Sequence, residues 1–146
     1  MIAVDTNILV AFLRTEYMAH RKAVESVTRL AEGAESWAIP WPCVHEFIAI
    51  VTNPRIFKRP TPVAGAADAV EALLESPSVR LLGEGPGHWA LLRRLILKGA
   101  VVGGRIHDAR IAAICVENGV RCLWTADRDF SRFPELKCRN PLVESA

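Results

Sequence analysis

This 146-residue sequence lacks the features that would identify a membrane protein, a zinc protein or a disulfide-rich protein. No apolar run reaches the roughly 18–20 residues that a helix needs to cross a bilayer, so we expect no membrane partner. The four cysteines form no C-x-x-C pair, and the histidines show no H-E-x-x-H spacing. Zinc sites and disulfide frameworks are therefore unsupported. We expect buried thiols in a soluble, cytoplasmic protein.

An excess of charge of one sign is also missing. Lysine and arginine total 18 against 16 acidic residues, which gives a net charge of +2. This balance neither requires nor opposes a nucleic-acid partner. Residues 83–87 are rich in glycine but lack the G-x-G-x-x-G and P-loop spacings, so they are predicted to form a turn. With no repeat, low-complexity tract or linker, the sequence predicts one domain over residues 1–146.

Short apolar runs alternate with segments of helical periodicity along the whole chain. The predicted strands are residues 2–4, 36–39, 78–82 and 120–124, with a short last strand at 142–143. The predicted helices are residues 7–13, 17–32, 42–51, 64–75, 88–98 and 106–119, the last with residues 118–119 as its stop. This alternation predicts an α/β fold with a mostly parallel sheet covered on both faces.

Carboxylates follow two of the predicted strands. Asp5 comes directly after the first strand, and Asp127 comes shortly after residues 120–124. Ligands of open α/β sheets bind in the crevice beyond the carboxyl ends of the strands, so we expect both side chains there. Each has a second explanation as a helix cap or turn residue.

Two further acids lie in predicted helices. Asp108 falls in a first turn, where the helix dipole favours an anion. Glu46 lies in a helix that is apolar nearly all round, so it is predicted to be buried and to need a partner, a proton or a cation.

Convergence of these four acids would need a neutralising ion. Two carboxylates about 4 Å apart repel by about 4 kcal/mol at an effective dielectric constant near 20. Because the donors are oxygens and no cysteines or histidines cluster with them, the ion expected is Mg²⁺ or Mn²⁺. Such an ion can activate water to attack a phosphodiester and can stabilise the charge that develops on phosphate.

The order and spacing of these residues resemble a known family. The motifs are Asp5-x-Asn7 after the first strand, Glu46 in an apolar helix, His107-Asp108-Ala109 opening an alanine-rich helix, and Thr125-x-Asp127-x-x-Phe130. Together they are similar to PIN domains and, more narrowly, to the VapC-type toxins of bacterial toxin–antitoxin pairs. The resemblance implies a three-layer α/β/α sandwich with about five parallel strands. It also implies Mg²⁺- or Mn²⁺-dependent endonucleolytic cleavage of RNA.

The resemblance also assigns roles to residues. Its acidic quartet corresponds to Asp5, Glu46, Asp108 and Asp127. Asp5 and Asp108 would bind the metal directly, and Asp127 directly or through water. Glu46 would orient the attacking water or hold a second ion, while Asn7 and Thr125 would support Asp5 and Asp127. The implied partners are a second copy of the chain, forming a homodimer, and a cognate antitoxin that places an arginine in the acidic pocket.

Three other classes remain to be weighed. A phosphatase of the haloacid-dehalogenase kind needs a second aspartate two residues after Asp5, where this chain has Asn7. A phosphoacceptor receiver domain needs paired acids in the early loop and a lysine at a strand end, and neither is seen. A non-catalytic binding module, whose acidic pocket captures an arginine-bearing partner, is the alternative that the residues leave open.

Overall fold

The computed structural model describes residues 1–143 as helices packed on a parallel sheet. The strands are β1 (Ile2–Val4), β2 (Trp37–Pro40), β3 (Val79–Leu82), β4 (Cys122–Trp124) and β5 (Cys138–Arg139). They lie in the order β3-β2-β1-β4-β5, and every pairing is parallel. The predicted α/β fold with a five-stranded parallel sheet is confirmed.

Six α-helices connect the strands in the described part of the chain. They are α1 (Thr6–Leu13), α2 (His20–Glu32), α3 (Trp41–Val51), α4 (Val63–Leu74), α5 (His88–Lys98) and α6 (Ile106–Glu117). Short 3₁₀ turns cover Gly103–Arg105 and Arg128–Arg132. Helix α1 packs on α2 and α3, α3 packs on α4, and α5 packs on α6. Within residues 1–143, no helix is long and apolar enough to cross a membrane.

The first strand of the chain lies at the centre of the sheet. Ala3 and Val4 are fully buried, and β1 pairs with β2 on one side and with β4 on the other. The strand order therefore changes direction between β1 and β4, and in such sheets a crevice opens beyond the carboxyl ends of the two strands. Asp5 and Thr125 immediately follow these strands, so both stand at the mouth of that crevice.

The last strand was predicted at the wrong place. The structure puts β5 at Cys138–Arg139, while Leu142 and Val143 lie in the turn and bend that follow. Both residues of β5 are exposed at the edge of the sheet. A two-residue exposed strand has no buried apolar run to indicate it. The apolar pair Leu142-Val143 downstream resembles such a run, which accounts for the wrong prediction.

The glycine-rich residues 83–87 form a turn, as predicted. Glu117 on α6 accepts hydrogen bonds from the backbone N–H groups of Gly85 and Gly87, at 2.7 and 2.8 Å. The protein's own carboxylate thus satisfies the two amides that a phosphate loop would offer to a ligand.

The prediction of buried thiols is only partly correct. Cys43 and Cys115 are buried and Cys122 is half-buried, but Cys138 on the edge strand is exposed. All four cysteines are free thiols.

Candidate functional site

Asp5 is a buried carboxylate held by several donors. It caps α1, and its Oδ1 accepts the Thr6 N–H at 2.7 Å. Its Oδ2 accepts the hydroxyl of Thr125 at 2.7 Å and the Nδ2 of Asn7 at 3.2 Å. Asp5 is only 4% exposed, and burial raises the pKa of its carboxyl above the usual value, against the lowering effect of these hydrogen bonds. The helix-cap explanation and the crevice prediction both hold for Asp5.

Asn7 and Thr125 join the ends of β1 and β4. The Asn7 Nδ2 also donates to the Thr125 hydroxyl at 3.2 Å, and the Asn7 Oδ1 accepts the N–H of Ala126 at 2.9 Å. The Thr125 hydroxyl in turn accepts the N–H of Asp127 at 3.0 Å. Each of these groups thus bonds to the next, and we call Asp5, Asn7 and Thr125 the inner cluster.

Glu46 is near the inner cluster but is not buried. Its Oε2 accepts the hydroxyl of Thr6 at 2.7 Å, and its charge contributes to raising the pKa of Asp5 and of Asp108. The predicted burial is wrong because α3 buries only one side, and the side that carries Glu46 is open to solvent. Sequence reasoning also missed the bridging role of Thr6, whose only signal is its position next to Asp5.

Three more carboxylates meet around one arginine. A single nitrogen of Arg105, Nη1, lies 3.2 Å from the Asp108 Oδ2 and 3.5 Å from the Asp127 Oδ2. The other terminal nitrogen, Nη2, pairs with the Asp129 carboxylate. Hydrogen bonding to Asp108, together with the charges of the three aspartates, raises the pKa of Arg105. We call Arg105, Asp108, Asp127 and Asp129 the outer cluster.

The inner and outer clusters are joined by the hydrogen bond from the Asp127 N–H to the Thr125 hydroxyl. Asp108 lies in the first turn of α6, as predicted, and Asp127 caps the 3₁₀ turn after β4 by accepting the Asp129 N–H at 2.9 Å. Burial raises the pKa of Asp108, the Arg105 hydrogen bond opposes this, and the charge of Asp127 adds to it. All four acids singled out from the sequence therefore lie around the crevice between β1 and β4.

The donor set suits a hard divalent cation, although the carboxylates do not stand at the spacing that would enclose one. In residues 1–143, no three His, Cys, Asp or Glu side chains already form a group that could hold a metal ion. The available donors are carboxylate, hydroxyl and amide oxygens, which are the ligands that Mg²⁺ and Mn²⁺ take. A cation would also stabilise the charge on buried Asp5, whose burial disfavours it.

A cavity of about 680 Å³ adjoins the acidic residues. It shares Thr125 and Asp127 with the two clusters, and Phe130 and Phe133 form part of its wall. Arg139 and Asn140 line it as well, so that its lining combines apolar, polar and basic side chains. The acidic site is thus open on this side to a ligand larger than an ion.

Comparison with known proteins points to one family. The PIN domain model matches residues 2–136. Ribonuclease VapC43 of Mycobacterium tuberculosis is 38% identical over 142 residues, which cover 97% of this chain and 96% of that protein. Solved structures give the same fold at lower identity. VapBC2 from Rickettsia felis, solved bound to a DNA fragment from its promoter, matches with a TM-score of 0.67 and 19% identity over 96% of this chain and 98% of that chain.

A second solved structure is similar to the same degree. VapC20 of Mycobacterium tuberculosis, described as a toxin that cleaves the sarcin–ricin loop, matches with a TM-score of 0.67 and 17% identity over 90% of this chain and 93% of that chain. The family match covers most of the chain, and the sequence relative extends over nearly all of it. This chain is a PIN-domain protein of the VapC ribonuclease family.

Proposed function

We propose that this protein is a Mg²⁺- or Mn²⁺-dependent RNA endonuclease and the toxin of a toxin–antitoxin pair. The observation that carries the proposal is the meeting of Asp5, Asp108 and Asp127 at the crevice between β1 and β4. The name of a relative supports RNA as the substrate, since VapC43 is a ribonuclease, and VapC20 is described as a toxin that cleaves the sarcin–ricin loop. A cytoplasmic location is part of the proposal, because that is where an RNA substrate would be met.

Each acidic residue has a place in this chemistry. Asp5, Asp108 and Asp127 would hold the ion, which when bound supplies activation of water and stabilisation of charge on the scissile phosphate. Glu46 is solvent-exposed and restrained by Thr6, so it is placed to accept a proton from the attacking water. As the water oxygen bonds to phosphorus, the bond from phosphorus to the leaving oxygen breaks. Asn7 and Thr125 keep the Asp5 carboxylate in one orientation throughout.

An antitoxin is the proposed inhibitor. Similar solved structures include one described as a toxin–antitoxin complex, from Klebsiella pneumoniae. Arg105 shows that the outer cluster accommodates a guanidinium, which is the group an antitoxin's arginine would supply. Tyr17 and Trp41 are each about two-fifths exposed and give such a partner apolar contacts. We further propose a homodimer and a single domain over the whole chain.

The test uses purified, antitoxin-free protein incubated with total RNA. We expect discrete fragments with Mg²⁺ or Mn²⁺, none with EDTA, and none from Asp5→Asn or Asp108→Asn at the same protein concentration. Circular dichroism of each variant controls for folding, and mapping of the fragment ends names the target. Cleavage that persists in EDTA would overturn the metal-dependent mechanism.

A non-catalytic binding module is the second candidate. One observation favours it, namely that a guanidinium already bridges the three outer carboxylates. Intact RNA after incubation with folded, Mn²⁺-loaded protein would support this alternative. Tight capture of an arginine-bearing peptide by that same protein, lost in Asp108→Asn, would then establish it.

A further inference from the structure

Arg105 lies where two of the proposed metal ligands converge. Its Nη1 lies 3.2 Å from the Asp108 Oδ2 and 3.5 Å from the Asp127 Oδ2. A divalent ion held by the same two carboxylates would stand next to this positively charged nitrogen and would use oxygen lone pairs to which the nitrogen donates. The guanidinium and the ion therefore compete for Asp108 and Asp127.

Arg105 lies on a short turn and presents its side chain to solvent. It ends the 3₁₀ turn Gly103–Arg105, and about half of its side chain is exposed. Gly103 adopts a positive φ of +60°, which a residue with a Cβ rarely does. The guanidinium is therefore reached from solvent and is not enclosed in the core.

Asp129 gives the arginine an anchor that the acidic quartet does not require. Its carboxylate pairs with the Nη2 of Arg105, on the side away from the nitrogen that bridges Asp108 and Asp127. Asp129 is about two-fifths exposed and so lies at the rim of the pocket. Release of Asp108 and Asp127 would leave this rim contact in place, because it uses a different nitrogen.

We propose that Arg105 is an internal counter-cation of the outer cluster, which a divalent ion must displace from Asp108 and Asp127 in order to bind. This inference rests on the proposed function, since it takes those two aspartates as metal ligands. Without metal, the guanidinium neutralises part of the repulsion among three carboxylates. With metal, it moves to the rim beside Asp129, where a planar guanidinium can face phosphate oxygens.

The test measures Mn²⁺ binding by isothermal titration to antitoxin-free, full-length protein. Arg105→Ala removes the competing cation, so we expect Mn²⁺ to bind about tenfold more tightly, which corresponds to about 1.4 kcal/mol. Arg128→Ala is the matched control, because it removes one exposed positive charge beside Asp127 from a residue that forms no ion pair within residues 1–143. That variant should change the affinity less than about threefold, which is the scale of the effect of a screened surface charge.

A second measurement does not depend on metal loading. In EDTA, Arg105→Ala should melt at a lower temperature than Arg128→Ala, because it leaves three carboxylates without their shared cation. Saturating Mn²⁺ should remove that difference. Arg105→Lys keeps the charge but lacks the planar fork, so we expect its Mn²⁺ affinity to lie between those of the wild type and Arg105→Ala.

Two results would overturn the inference. Equal tightening in Arg105→Ala and Arg128→Ala would show an effect of net charge alone, and weaker binding in Arg105→Ala would show that Arg105 organises the metal ligands. Either result alongside metal-dependent RNA cleavage by the wild type would leave the proposed function standing. Absence of both Mn²⁺ binding and cleavage in the wild type would instead reject the proposed function and the inference with it.

Discussion

The inner and outer clusters stabilise their closely spaced polar groups in different ways. In the inner cluster, Asp5 and Thr125 are each 4% exposed, and their hydrogen bonds are made to one another, to Asn7, to the Cys43 thiol and to the backbone. In the outer cluster, the carboxylates are partly exposed and share one guanidinium. Hydrogen bonds within the fold hold the inner cluster together. In the outer cluster one cation neutralises part of the carboxylate charge, and by our proposal a metal ion displaces it.

The largest expected effect is on the rate of RNA cleavage, and it distinguishes Asp127 from Asp129, two neighbouring carboxylates of the outer cluster. Asp127→Asn should lower the rate of RNA cleavage by about a hundredfold or more, the usual cost of removing one group that stabilises transition-state charge. Asn can still cap the following 3₁₀ turn, so folding should persist. Asp129→Asn should lower the rate less than about threefold, because its carboxylate pairs with Arg105 and lies outside the proposed set of metal ligands.

Initial rates on a labelled RNA at saturating Mn²⁺, with melting temperatures as the folding control, check this pair. Equal losses in Asp127→Asn and Asp129→Asn would mean that the outer cluster works as one undivided group. The distinction between Asp127 as a metal ligand and Asp129 as the partner of Arg105 would then be wrong.

An intermediate effect on stability is expected in the inner cluster. Thr125→Val keeps the shape of the side chain but removes the hydroxyl that serves Asp5, Asn7 and the Asp127 N–H. Because buried groups lose their partner, the free energy of unfolding should fall by about 1–3 kcal/mol. Thr6→Val is the matched variant, and it removes a hydroxyl whose partner, Glu46, can turn to water.

We expect the cost of Thr6→Val to stay below about 1 kcal/mol, as for a single hydrogen bond with a solvated partner. Urea unfolding of both variants, with unchanged denaturant slopes, measures the difference. A Thr6→Val variant as unstable as Thr125→Val would show that Glu46 belongs to the inner cluster.

The smallest effect is a pH dependence of stability. Burial raises the pKa of Asp5 in the folded state, so the folded protein binds the proton more tightly than the unfolded chain does. Below the pKa of Asp5 in the unfolded chain, the carboxyl is protonated in both states and does not affect stability. As the pH rises through the pKa of Asp5 in the folded protein, ionisation of the buried carboxyl lowers the free energy of unfolding. Asp5→Asn removes this effect and keeps the N-cap.

In EDTA, the melting temperature of Asp5→Asn minus that of the wild type should therefore increase as the pH is raised from about 3.5 to neutrality. Asp68→Asn, at an exposed carboxylate on α4, is the control. A constant difference across that range would contradict the proposed cost of burying Asp5. Excess Mn²⁺ should reduce the gain at neutral pH, because the ion stabilises the ionised form.

The features read correctly from the sequence are those with a local signal. Buried apolar runs located β1 to β4, and a carboxylate after β1 and after β4 placed the crevice. The prediction that Asp108 lies in a first helical turn needed only the start of α6. Since alternating strands and helices predict a parallel sheet, whose strands end at one shared edge, the meeting of distant acids could also be expected.

The errors come from features that the local pattern does not encode. The apolar composition of α3 predicted burial of Glu46, but an apolar residue on an open helix face looks the same in sequence as one in the core. The contact of Arg105 with Asp108 is readable from their spacing of three residues on a helix. Its contacts with Asp127 and Asp129 depend on tertiary structure, and nothing near Arg105 indicates them.

The pairing of β1 with β4 determines when during synthesis the acidic site can form. Strand β1 leaves the ribosome before β4 does, and the hydrogen bond from Thr125 to Asp5 spans 120 residues of sequence. Contacts of such long range form late and slow folding, and domains fold as they are completed during synthesis. The carboxylates around the crevice therefore cannot assemble on a partly synthesised chain. The ribosome has to add Asp127 to the chain before the acidic site can exist.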